Sequence, residues 1–181
     1  MRRFSILIGL LVLSACSSAG RMPEPGNSLQ HPVAPENLTA RIVLRVLEER
    51  GIVRKIGVVI LNPQRVPIQS VRAWVQFDPA VIRDQNLSIE DGRFSLFAPG
   101  ERTIESHQGF VKIGGAVQEP VRDTEILFAT FMVRVPPIPG GTRPTLSFHD
   151  WRPEGDGHTA VLSLGTPTIV NVLRPPTSFQ L

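Results

Sequence analysis

Val71-Arg72-Ala73-Trp74-Val75-Gln76-Phe77-Asp78-Pro79 alternates apolar and polar residues and then meets an Asp-Pro pair. Val71, Ala73, Val75 and Phe77 fall on one face of an extended chain, and Arg72, Trp74 and Gln76 on the other, because side chains of a strand repeat every two residues. The stretch therefore offers one face to a core and one to water. Asp78-Pro79 ends it for a physical reason: an Asp side chain bonds nearby backbone amides, and Pro presets φ for a turn. Trp74 is the odd member of the wet face, since a large aromatic there needs a partner or a cover. Two readings of it stand side by side: a binding residue, or edge packing under a neighbouring loop or the Arg72 stem.

Working outward, the rest of the chain repeats this pattern in short pieces. Ala40 to Glu48 carries Ile42, Leu44 and Val46 on one parity, and its β-branched start favours a strand over the competing helix. Val53 to Asn62 alternates Ile56, Val58 and Ile60 against Lys55, Gly57 and Val59, and Pro63 and Pro67 bracket the loop that follows. Beyond Asp78-Pro79, Val81-Ile82 re-enters the core, with further strands expected at 87–89, 93–97, 103–105 and 109–115 and a turn at Glu90-Asp91-Gly92. Ile126 to Val135 is apolar on nearly both parities, which predicts a strand near the centre of the fold. Pro144 to His149, Thr159 to Leu164 and Thr168 to Leu173 complete the set before Pro175-Pro176. About nine short strands between Gly, Pro and Asn/Asp turns, with no convincing helix, predict an all-β antiparallel sandwich over 40–174 and a C-terminal tail over 175–181.

Composition agrees with one folded domain. Of the 181 residues 41% are hydrophobic and 19% charged, and 15 Gly with 17 Pro interrupt regular structure too often for long helices. Setting Arg2 and Arg3 aside as part of a removable segment takes the 19 basic residues to 17 against 16 acidic ones, so no basic footprint for nucleic acid remains. A single Cys excludes an intrachain disulfide.

That Cys lies in an informative place. Arg2-Arg3 precede a short apolar run from Phe4 to Leu13, the layout of a secretory signal over 1–15 that is too short to span a membrane comfortably. Leu13-Ser14-Ala15-Cys16 resembles a bacterial lipobox, which implies diacylglycerol on the Cys16 thiol, cleavage before Cys16 and attachment to a bilayer outside the cytoplasm. Residues 16–39, with Pro23, Pro25, Gly26, Pro32 and Pro35 and no apolar periodicity, read as a flexible tether. By analogy with enterobacterial sorting, Ser17 favours the outer membrane; the expected setting is the outer membrane and periplasm, or the cell surface.

Val75-Gln76-Phe77-Asp78-Pro79-Ala80-Val81-Ile82 resembles the aromatic-Asp-Pro-x-aliphatic-aliphatic signature of cohesin domains. Val58-Val59-Ile60-Leu61-Asn62, Gly109-Phe110-Val111-Lys112-Ile113 and Leu127-Phe128-Ala129-Thr130-Phe131-Met132-Val133 resemble other strands of that family, in order. The likeness runs from about Ala40 to Leu173 and implies a nine-stranded jelly-roll sandwich that binds a protein partner, in cellulosomes a calcium-loaded dockerin, through one exposed sheet face. One departure concerns that face: Ser70 and Arg72 stand where dockerin-binding cohesins often carry Asn and Asp.

Chemistry-bearing constellations are sparse. No nucleophile elbow, spaced His pair or phosphate loop is present, and no catalytic residue is assigned. His149-Asp150-Trp151-Arg152-Pro153-Glu154-Gly155-Asp156-Gly157-His158 is the one polar loop where Asp150, Glu154 and Asp156 could hold calcium and the two His a transition metal, although its spacing matches no standard loop. Trp151 either anchors that loop on the core or stacks on a sugar ring. The expected function is a lipid-anchored, non-catalytic binding module without a required cofactor, meeting a protein partner, dockerin-like or an envelope component, through Ser70, Arg72, Trp74 and Gln76. The alternatives are a carbohydrate-binding module using Trp74 or Trp151 on envelope polysaccharide, and a structural part of a secretion or pilus assembly.

Overall fold

The computed structural model describes residues 39–80, 82–88, 94–137, 140, 143–164 and 169–181. The signal segment, Cys16, the tether up to residue 38 and the turn Glu90-Asp91-Gly92 lie outside the described residues. Among the described residues the chain forms eleven strands: β1 Arg41–Arg50, β2 Val53–Leu61, β3 Ile68–Gln76, β4 Arg83–Ser88, β5 Arg102–Glu105, β6 Phe110–Val121, β7 Glu125–Arg134, β8 Thr145–Phe148, β9 Ala160–Leu164, β10 Ile169–Asn171 and β11 Phe179–Gln180. They make two antiparallel sheets, a smaller one ordered β1-β2-β7-β4 and a larger one ordered β10-β9-β3-β6-β5, with β8 on β3 and β11 on β8. The molecule is an all-β sandwich.

β3 lies inside the larger sheet. β6 runs along one edge, while the other edge is shared, Ile68 to Arg72 pairing with β9 and Val75-Gln76 with β8. Val71, Ala73, Val75 and Phe77 are all buried in the core, as their alternation requires. The Asp78-Pro79 ending closes as its chemistry predicts, with the Ala80 amide donating to Asp78 Oδ1 at 2.8 Å and the Ile82 amide to the Asp78 carbonyl at 2.9 Å. Gly109 backs this turn; its φ is +73° and an added Cβ would lie 2.2 Å from the Phe77 carbonyl oxygen, so no other residue fits without moving the chain.

β7 is interior to the smaller sheet, between β2 and β4. Its register against β2 jumps between Val58–Ala129 and Val59–Leu127, which leaves Phe128 as the extra residue of a bulge. The bulge reverses the phase of alternation, so Ile126 and Phe128 point inward before it and Ala129, Phe131 and Val133 after it; all five are buried. That is why both parities of this strand read as apolar. Phe128 meets Phe94 edge to face at 5.2 Å and so ties the two halves of the core together.

Two boundaries differ from expectation. The piece expected as a strand at 93–97 contributes only a bridge, Leu96 to Ala116, because the chain bends away from β6 after Leu96. The segment expected as a tail carries β11, which pairs with β8, and the Leu181 amide donates to the Pro144 carbonyl at 3.0 Å. At the other end Ala40 bridges Leu173 in parallel, its N–H donating to Val172 O at 2.8 Å and its carbonyl accepting from Arg174 N–H at 2.9 Å.

Candidate functional site: the outer face of the larger sheet

Residues of β3 that avoid the core project outward in one row, and the register fixes what lies beside each. On β6, Ala116 is opposite Ser70, Gly114 opposite Arg72, Lys112 opposite Trp74 and Phe110 opposite Gln76. On the far edge Leu162 is opposite Ser70, Ala160 opposite Arg72 and Ser147 opposite Gln76. The row is therefore flanked by small residues at its Arg72 end and by a cation and aromatics at its Trp74 end. Four expected contact residues share this face, and two loops divide them.

The first loop arises where the chain leaves β6. Leu96 is paired with Ala116, and the Gly114 amide donates to the Glu101 carbonyl at 2.5 Å, so residues 97–100 are forced out between two fixed points. Arg102 holds this flap by donating to the Phe94 and Gly114 carbonyls while its guanidinium lies 3.7 Å from the centre of the Phe97 ring. Glu101 then reaches across the sheet. It accepts from Trp74 Nε1 at 3.3 Å and stands 3.5 Å from Arg72 Nε.

The second loop is the polar stretch from His149 to His158. Asn171, fully buried, clamps it: Nδ2 donates to the Arg152 and Pro153 carbonyls at 2.9 and 3.3 Å, and Oδ1 accepts from the Val161 and Leu173 amides. Gly157 sits where an added Cβ would lie 2.1 Å from the Asp150 carbonyl oxygen. This folding lays the His158 ring on the Trp74 ring, with centroids 3.9 Å apart and planes 6° from parallel, and sets His149 beside it, 5.3 Å from His158 and 6.3 Å from Trp74. From the β6 side Lys112 Nζ lies 4.2 Å from the Trp74 centroid and pairs with Glu105. Trp74 is thus covered, its polar edge satisfied and its ring stacked on His158.

Both tryptophans expected as alternative sugar platforms are engaged within the fold. Trp74 is occupied by His158 and Lys112. Trp151, half-buried against the core, donates from Nε1 to the Leu173 carbonyl at 3.2 Å, the arrangement of a loop anchor. Asp150, Glu154 and Asp156 do not converge as a ligand set either. Arg152 stands between two of them, 2.9 Å from Asp150 Oδ1 and 3.5 Å from Asp156 Oδ2, and no group of three potential ligands that could hold a metal ion exists among the described residues. The two imidazoles have ring centroids 5.3 Å apart and planes 11° from parallel. The Arg152 guanidinium, with smaller contributions from His158 and His149, instead holds the Asp150 carboxyl below the usual carboxylate range.

What remains open lies at the Arg72 end. A depression of about 180 Å³ has Ser70, Gly114, Ala116 and Ala160 for its floor, Leu96, Phe97 and Ala98 for one wall, Leu162 for another, and Arg72 with Glu101 at its end. Leu96 and Phe97 are about half exposed, at 47% and 52%, and are held that way by the flap. The strand pattern pointed to Ser70 and Arg72, but not to Leu96, Phe97, Glu101 or His158, whose roles come from register and loop path. The Ala98-Pro99-Gly100 turn was the one local signal of the flap.

No protein-family model matches this sequence, and no curated protein matches it. Solved structures do. The seventh ScaB type I cohesin of Pseudobacteroides cellulosolvens superposes with a TM-score of 0.58 at 11% identity, over 78% of this chain and 89% of that one. The fold is cohesin-like. A third ScaC cohesin of Acetivibrio cellulolyticus, solved with the ScaB dockerin, gives a TM-score of 0.55 at 14% identity over 78% of this chain and 96% of that chain. A cohesin module of a Clostridium perfringens family 33 glycoside hydrolase gives 0.53 at 11% identity, over 80% and 96%. At these identities the cohesin likeness speaks to architecture, and function is argued from the face itself.

Proposed function

We propose that this chain is a non-catalytic protein-binding module that engages a dockerin-like or envelope partner through the outer face of its larger sheet. The observation that carries this is the cohesin-like fold, since the Acetivibrio cohesin of the same architecture is held in complex with a dockerin. The face supports it. The partly exposed Arg72 side chain, beside Glu101 and donating to the Gly157 carbonyl, ends a depression whose small floor residues and apolar walls, Leu96 and Phe97, form an aromatic, Arg and aliphatic combination suited to a protein contact. Ser70 and Gln76 lie at the two ends of the row. Attachment to a bilayer outside the cytoplasm through lipid on Cys16 is part of the same proposal, several buried acyl chains being sufficient for stable anchoring.

Affinity capture from native membranes with the full chain tests both parts. Arg72→Gln and Leu96→Asp are expected to lose the partner recovered with the parent while circular dichroism and a cooperative thermal transition show the β-fold retained. An undiminished set of partners in both variants sinks the face assignment. Metabolic labelling with a clickable fatty acid, expected in the parent and lost in Cys16→Ser, tests the anchor separately.

A further inference from the structure

His158 carries a polar atom that the fold leaves unfinished. Its Nδ1 is buried from solvent without a hydrogen-bond partner, yet lies 3.3 Å from Asp150 Oδ2. The opposite property of the same ring is its face, laid flat on Trp74. A proton on His158 would act at both places at once, giving Asp150 a donor and turning a neutral stack into a cation over the indole. Asn171, Trp151 and the His149 amide on the Trp74 carbonyl fix the path of the loop, and the stack is the contact by which its last residue lies on the Trp74 ring.

Charged groups facing the ring come from every element around it. Lys112 from β6 lies on the Trp74 ring and is paired with Glu105 from β5; Glu101 from the flap is bound to Trp74 and pairs with Arg72 from β3. Within the loop, Arg152 takes Asp150 Oδ1 and reaches Asp156, and His149 lies beside the His158 ring. The four carboxylates, Glu101, Glu105, Asp150 and Asp156, face three permanent cations, Lys112, Arg72 and Arg152. Among these carboxylates Asp150 presents Oδ2 to His158, 3.3 Å from Nδ1. A second proton on His149 would set like charge against His158 at 5.3 Å.

We propose that the loop is a proton-operated cover: protonated His158 fastens it over Trp74, and loss of that proton loosens it and uncovers the indole on the outer face of the larger sheet. Histidine is the side chain that ordinarily changes charge between roughly pH 5 and 8. The device lies on the face proposed for a partner, but its test needs no partner, so its failure and the failure of that proposal are separate results.

Acrylamide quenching of Trp74 fluorescence in the full chain carrying Trp151→Phe reads the cover directly. The quenching constant is expected to rise severalfold from pH 5.5 to pH 8.5, to stay high at both pH values in His158→Gln, and to keep its pH dependence in His149→Gln. A constant that does not change with pH, or one that changes equally in His158→Gln, overturns the proposal. NMR of the unmodified chain keeps the test open if Trp151→Phe fails to fold: the Trp74 indole N–H must titrate with the same midpoint as the His158 ring proton, and independence of the two overturns it equally.

Discussion

The outer faces of the two sheets follow the same two-residue pattern and are closed in different ways. On the smaller sheet Val59 is buried although it points away from the core, because Val43 and Leu127, its cross-strand neighbours, close over it. Gly57 makes room for Leu47 and Leu127, which would lie 2.9 and 3.1 Å from an added Cβ. Arg45 and Glu125 seal the rim with a two-pronged ion pair. That face is covered by side chains of its own strands. On the larger sheet the cover is brought by loops, the flap from Leu96 to Glu101 and the stretch from His149 to His158, so the residues beneath can be uncovered without unpairing a strand.

Substitutions can break or sharpen that contrast. The largest effect is expected below both faces: Phe128→Ala removes the bulge residue that meets Phe94 and should cost about 3–5 kcal/mol in urea unfolding. If only the smaller sheet loosens, as seen by hydrogen exchange, the two sheets do not share one core. Next come two glycines, one on each face. Gly157→Ala drives a Cβ against a backbone oxygen and should cost about 1–3 kcal/mol while disturbing Trp74 fluorescence. Gly57→Ala meets only the ends of leucine side chains that can turn aside, and relief of glycine's entropy offsets about 0.5–1 kcal/mol, leaving a change smaller than about 1 kcal/mol in either direction. Equal losses in the pair would erase the distinction between a loop-built and a side-chain-built cover.

Acid gives the smallest effect. The Asp150 carboxyl is held low chiefly by the Arg152 hydrogen bond, and Glu125 chiefly by Arg45. A depressed carboxylate contributes stability that is present above its unfolded pKa and is lost as pH falls through its folded value. Both pairs are exposed, so a modest fall of the urea midpoint below about pH 4 is expected, reduced in Asp150→Asn and in Glu125→Gln. Asp150→Asn should also alter Trp74 fluorescence, and Glu125→Gln should not.

Much of the architecture was legible because alternation is a local property. Val71, Ala73, Val75 and Phe77 announced a buried face, and Asp78-Pro79 announced its end. The bulge at Phe128 was not legible, since one inserted residue reverses the phase and leaves only a strand that looks apolar on both sides. At the outer face the pattern could place Ser70, Arg72, Trp74 and Gln76 in a row, but it left the state of Trp74 open. Its cover depends on Glu101 and His158, which reach it only through strand register and the clamp of Asn171. Such contacts span too much of the chain for any local period to carry. Trp151 was open for the same reason, since its acceptor, the Leu173 carbonyl, belongs to a distant segment.

The parallel bridge between Ala40 and Leu173 has a mechanical meaning if the module is held from its N-terminal side, as the proposed lipid on Cys16 would hold it. Tension entering at Ala40 and resisted at the larger sheet runs first through the hydrogen bonds to Val172 and Arg174. Single-molecule pulling between residue 39 and β3 is expected to show a first yield at this bridge, before β1 leaves β2, and a trace without that step would show that the load follows another route.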